Sequence, residues 1–194
     1  MNVIHVNIDL VENEKLSKSL GVKAIPTLVL INTEGEETYR WLDYQPAQSF
    51  VNELKKESLQ HLSVEDLQAK AILGDKELAR KVGFIFYNKL EWKKAIQFFS
   101  LSKSEDSRMY KVAAEVNLAS DEKEESENQT KNYVETLEKA IVTTPSNLDR
   151  LRWQVDLIET KKENKLEVSE EFLDQTVASL KKIKEDKNFP NIFK

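Results

Sequence analysis

The 194-residue sequence predicts an α/β plus all-α protein, a small α/β module followed by a helical array. Three observations predict it. Runs rich in β-branched residues occur only near the start, at residues 3–8 and 27–31. From Ser63 onward, apolar residues recur at helical spacing. Gly and Pro number four each, far below their usual roughly 7% and 5% of residues, which leaves few turn formers and favours long helices.

The α/β elements follow in the order β-α-β-β-α. Val3-Ile4-His5-Val6-Asn7-Ile8 reads as a strand. Residues 13–20 form a helix, with Leu16 and Leu20 one turn apart and Gly21 as its C-cap. Leu28-Val29-Leu30-Ile31 is a continuous apolar run, as expected of a strand covered on both faces. Residues 32–36 carry turn chemistry around Gly35, and residues 38–42 read as its antiparallel partner. Pro46 suits a first helical turn, and Phe50, Val51 and Leu54 mark that helix's apolar stripe to about Glu57. The boundary with the helical region falls near residues 58–63, so that residues 1–60 form one domain and 61–194 the other.

In the helical half, Ser63 with Asp66 is a capping pair, and Asp75 begins a helix buried through Leu78, Val82, Ile85 and Phe86. After a break at Leu90-Glu91-Trp92, the next helix carries Ala95, Ile96, Phe98 and Phe99. Residues 109–118 pair with 133–142, and 148–160 pair with 169–185. The charged segment 121–132 separates the first of these pairs, and its acidic stretch 121–127 is read as a solvated insertion between two helices, the alternative being a docking surface. Gly83, Phe86, Tyr87, Trp92, Ala95, Ile96 and Phe99 resemble one tetratricopeptide unit. Ala140 and Pro145 resemble the end of a second, and Ser102, Ala140 and Ala178 recur at equal spacing slightly longer than that family's roughly 34 residues.

Several chemistries are excluded. The 34 acidic and 29 basic residues are mixed, for a net charge of −5, so no basic stripe marks a nucleic-acid partner. No apolar stretch approaches the roughly 18 residues of a membrane span. The N-terminus lacks the basic-then-apolar pattern of a secretory signal. There is no cysteine, hence no disulfide, zinc–thiolate site or intrinsic thiol chemistry. His5 and His61, the only histidines, have no supporting motif for a metal or a catalytic triad. No Gly-rich phosphate loop is present, and no cofactor is implied. Phe98, Phe99, Tyr87 and Trp92 are read as helix packing, the alternative being a peptide-binding concave face.

The text Val6-Asn7-Ile8-Asp9, the loop Gly21-Val22-Lys23-Ala24-Ile25-Pro26-Thr27, and Tyr44-Gln45-Pro46-Ala47 before a helix together resemble the last three strands and two helices of the thioredoxin-like family. That resemblance implies a cis peptide at Ile25-Pro26 and an extended peptide or protein partner held beside it by strand addition. The implied binding residues are Ala24, Ile25, Pro26, Thr27, Asp43 and Tyr44, with no catalytic residue and no metal.

Departures from the family matter as much. Its Cys-x-x-Cys helix belongs ahead of Val3, where the sequence has Met1 and Asn2. The glycine that usually follows its final strand is replaced by Asp43. The family's central strand, between the strands represented by 3–8 and 27–31, is missing. Either these two pair directly, or a partner or upstream segment fills the gap. The expected role is a redox-silent binding protein of thiol–disulfide metabolism, or the truncated form of an oxidoreductase. The alternative is a helical-repeat adaptor without a redox role. Self-association is expected through unpaired strand edges or the apolar tail 189–193, which either docks back as a cap or inserts into a neighbour. The compartment is cytoplasmic if the chain is complete and exported if an N-terminal part is missing.

Overall fold

The computed structural model describes residues 4–43, 46–58, 62–123, 126–145 and 147–185. A short 3₁₀ turn (Val11–Asn13) leads into α1 (Glu14–Ser19), followed by β1 (Thr27–Ile31), β2 (Glu37–Leu42) and α2 (Ala47–Glu57). Seven further helices complete the described chain: α3 (Val64–Ile72), α4 (Lys76–Asn88), α5 (Trp92–Ser102), α6 (Glu105–Glu122), α7 (Glu127–Thr143), α8 (Leu148–Glu163) and α9 (Glu170–Glu185). The described residues are thus mostly helical, with one two-stranded antiparallel sheet. The apolar tail 189–193 lies outside them, as does His61.

One expected element is missing, so β-α-β-β-α is corrected to α-β-β-α. Residues 4–8 are exposed and form no strand, and no ladder joins them to 27–31, which excludes the direct-pairing arrangement. The physical reason is that β-propensity describes fit to a half-buried pleated surface. Without a neighbouring strand, Ile4, Val6 and Ile8 have no such surface.

The chain forms two compact units, Met1–Lys111 and Val112–Lys194. In the first, β1 and β2 pair with Leu28 opposite Trp41, Val29 opposite Arg40 and Leu30 opposite Tyr39. The register then shifts, because Ile31 pairs with Glu37 and leaves Thr38 as an extra residue. Residues Thr38 to Trp41 are all buried, so β2 is covered on both faces. Tyr39 and Trp41 share one face with Phe50 of α2, the rings meeting edge to face at 4.7 and 5.4 Å. Such geometry sets a positive ring edge against a negative ring face. Strand β2 also packs on α3 and α4.

Helix starts in this unit follow their capping residues. The Ser63 hydroxyl accepts from the Asp66 amide at 3.2 Å, and the Asp75 carboxylate accepts from the Leu78 amide at 3.0 Å. Helices α4 and α5 approach closely at Gly83, where a Cβ would stand 2.5 Å from the Phe99 ring. Phe98 and Phe99 are buried, whereas Tyr87 and Trp92 are half-buried and meet at 5.3 Å.

In the second unit, Val116 and Ala119 of α6, Leu137 and Ile141 of α7, and Trp153 and Leu157 of α8 share one apolar core, with Phe172 of α9 against it. The stretch 121–127 does join two helices, but the charged segment 121–132 is a shorter connection than expected, since residues 127–132 are helical. Helix α6 continues to Glu122 and α7 begins at Glu127, with Ser126 accepting from the Gln129 amide at 3.3 Å. Charged side chains suit an exposed helix face as well as they suit a loop, so composition alone does not separate the two. Burial pushes the Asp156 carboxyl on α8 above its ordinary value; Glu159 adds to this, and Lys123 and Arg152 oppose it.

Two outcomes are expected. Gly83→Ala gains up to about 1 kcal/mol of helix propensity but incurs overpacking of about 1–3 kcal/mol against a buried ring, so chemical denaturation should show a net loss of stability. Asp156→Asn should stabilise the chain at neutral pH by about 0.5 kcal/mol. A raised folded-state pKa means that the folded chain binds the proton more tightly than the unfolded one, so the charge costs stability above the raised value. The advantage of Asn over Asp should therefore fade as the pH falls to the ordinary carboxylate value of 3.8, which pH-dependent melting will read.

Candidate functional site

The loop between α1 and β1 brings most of the expected binding residues together. Gly21 takes φ +58°, a left-handed conformation suited to glycine, and closes α1 with its amide on the Lys18 carbonyl and the Val22 amide on that of Ser17. The Ile25–Pro26 peptide is cis, as the resemblance implies. The Thr27 hydroxyl donates to the Ala24 carbonyl at 2.5 Å, which closes the loop on itself. The Asp43 amide donates to the Pro26 carbonyl at 3.0 Å, so the residue after β2 lies beside the proline. Asp43 has φ +66°, in the left-handed region that favours glycine and that Asp tolerates better than most residues. Tyr44 lies outside the described residues.

The direction of the backbone groups follows from two bonds. Pro26 accepts from Asp43 on the β2 side, while the Asn88 side chain donates to the Arg40 carbonyl at 2.9 Å from the far side of β2. Residues of an antiparallel pair alternate in where their N–H and C=O point. Leu28 and Leu30 therefore direct theirs to β2, and Thr27, Val29 and Ile31 direct theirs outward. Among the described residues, no other strand bonds to that outer edge of β1. It is flanked by apolar side chains in water: Ile25 is 70% exposed, Leu28 41% and Ile31 43%. The two edges of the sheet thus differ: Asn88 bonds to one, and among the described residues no strand bonds to the other.

A second group of residues, which the sequence reading did not single out, supports this edge. Arg40 is only 1% exposed. Its guanidinium grips Glu37 with two bonds, at 2.9 and 3.0 Å. It also donates to the Leu20 carbonyl and, at 3.3 Å, to that of Gly21. Lys89 adds a second cation to Glu37 at 3.0 Å. Residues three apart on a regular strand point to opposite faces, and the extra residue Thr38 puts Glu37 and Arg40 on the same one. The only signal for this in the sequence is an arginine between Tyr39 and Trp41 in a strand too apolar to be half-solvated.

On the other face, Glu53 of α2 accepts from the Tyr39 hydroxyl at 3.3 Å and from the Trp41 indole N–H at 2.8 Å. Burial, then the charges of Glu53 and Glu57, hold the Tyr39 phenol well above its ordinary range. Glu57 forms a buried ion pair with Lys81 of α4, whose ammonium lies 5.4 Å from the Tyr39 ring centre. These ionisable groups are spent on packing.

What the arrangement offers chemically is main-chain hydrogen bonding on an apolar ledge. His5 is exposed, and among the described residues no group of three or more His, Cys, Asp or Glu side chains is placed to hold a metal. Among the same residues no helix is long and apolar enough to cross a membrane. Compared with family models, curated proteins and solved structures, the chain matches none.

Glu53→Gln tests the second face. An amide presents one acceptor where the carboxylate has two, so one of the two donors loses its partner at a cost of about 1–3 kcal/mol. The Tyr39 phenol should also titrate lower than in the parent chain, because two of the causes that raise it are removed. Alkaline absorbance titration reads that shift.

Proposed function

We propose that this chain is a redox-silent, thioredoxin-like binding module that takes an extended peptide segment by strand addition on the outer edge of β1. A tetratricopeptide-like helical domain follows it. In thiol–disulfide metabolism its part is docking, since the chain has no sulfur nucleophile of its own. One observation carries this reading: among the described residues no strand bonds the outward backbone groups of Thr27, Val29 and Ile31, a ledge that starts beside Pro26. An added strand finds main-chain partners there for affinity, and the exposed Ile25, Leu28 and Ile31 favour a segment with alternating apolar residues. The resemblance of the 21–27 loop to the family's substrate-facing loop supports the same position.

A second reading, the helical-repeat adaptor, is favoured by the half-exposed rings of the first unit. Tyr110 is 41% exposed and packs edge to face on Phe84 at 4.6 Å and on Tyr87 at 5.4 Å. Aromatic residues presented this way suit a protein interface.

The readings separate when a reduced, carboxymethylated unfolded polypeptide is titrated into the isotope-labelled chain. Strand addition moves the amide signals of Ile25, Thr27, Val29 and Ile31. Val29→Pro, which removes one outward N–H and leaves the bonds to β2 intact, should weaken binding by about tenfold. Shifts confined to Phe84, Tyr87 and Tyr110 would establish the adaptor reading instead.

A further inference from the structure

We propose that Arg40 is the positioning residue of the 21–27 loop, and that the C-terminal end of α4 sets the loop's geometry through it. The loop has a cap at each end, and Arg40 holds the first. Its guanidinium takes the carbonyls of Leu20 and Gly21, where the chain leaves α1 for the loop. Those carbonyls belong to a helix end, where backbone acceptors lack intrahelical partners. A planar fork of fixed donors satisfies two of them and a carboxylate at once, which an ammonium on a flexible stem does not.

Arg40 is in turn fixed from α4. Lys89, just past that helix, bonds Glu37, the carboxylate that Arg40 grips. Asn88, its last residue, bonds the backbone carbonyl of Arg40 itself. Three consecutive links therefore run from α4 to the loop: Lys89 to Glu37, Glu37 to Arg40, and Arg40 to the Leu20 and Gly21 carbonyls. Every link is a hydrogen bond or ion pair inside the first compact unit, and Arg40 is its most buried member. A binding event that displaces the end of α4 thereby changes the ledge beside Pro26. The inference rests on the strand-addition reading only where it concerns binding.

The test uses the full chain and reads backbone order in the loop. In the parent, Val22, Lys23, Ala24, Ile25 and Thr27 should show order parameters near about 0.85, the value of rigid backbone. In Arg40→Lys, which keeps the charge and loses the fork, these should fall below about 0.6 while the β1–β2 amides stay dispersed. A folded Arg40→Lys chain with an equally ordered loop overturns the positioning role. Should that variant fail to fold, Asn88→Ala with Lys89→Met decides, because it leaves Arg40, Glu37 and the loop unaltered. Altered shifts and lowered order at residues 21–27 support the coupling; an unperturbed loop in that folded double variant overturns it. Binding of the carboxymethylated polypeptide separates the two ideas. A loosened loop with a roughly tenfold weaker complex agrees with both. A loosened loop with unchanged affinity supports the role of Arg40 and overturns strand addition at the ledge.

Discussion

A guanidinium withdrawn from water needs an acceptor for nearly every N–H it carries, and Arg40 imposes that requirement on the whole first unit. Glu37 has to face it, two carbonyls at the end of α1 have to turn toward it, and the sheet has to admit a carboxylate on a face that regular alternation would deny. The register shift at Thr38 meets the last condition. Lys89 then adds a second cation to the Glu37 carboxylate from the helical side. Each of these groups would be costly alone in the interior, and together they leave one arrangement in which all are partnered.

The same constraint explains why a sheet of two strands persists. An isolated hairpin is marginal in water. Here β2 is buried on both faces, by Leu20 and Gly21 near Arg40 on one side and by Phe50 and Glu53 of α2 on the other. Asn88 occupies its outer edge. These supports gather on β2, and β1 is left with an edge to which no strand bonds among the described residues. Exposed edges of this kind invite pairing by another chain. In this protein the ledge is short, five residues of β1, and lies next to the Pro26 loop.

The helical part obeys simpler rules. Side-chain caps at Ser63, Asp75, Ser126 and Asn147 start four of its helices, and each accepts an amide three residues on. Small residues set the spacing of the packed helices. Gly83 lets α4 meet the Phe99 ring, and Ala140 is buried within the core shared by α6, α7 and α8. Those features are local, so the helices and the caps at Ser63 and Asp75 were legible in the sequence, whereas the caps at Ser126 and Asn147 were not singled out. At residues 127–132 the first turns of α7 read as part of a charged connection, because a polar helix surface and a loop have the same composition.

By itself the sequence determined the local elements: the helix ends, the hairpin around Gly35, the 21–27 loop before an apolar strand, and the absence of any thiol. Period, capping and turn chemistry act over a handful of residues, so they can be read without knowing what lies opposite. Tertiary structure alone decided the rest. Residues 4–8 have the composition of a strand, yet a strand exists only with a partner, and among the described residues none is bonded to them. Arg40 and Glu37 look like solvent-facing charges until the extra residue at Thr38 turns them inward together. Asn88 and Lys89 are ordinary helix-end residues until folding brings them beside β2, roughly fifty positions earlier in the chain. Contacts across such separations depend on how elements stack, and side-chain pattern along one element carries no record of that.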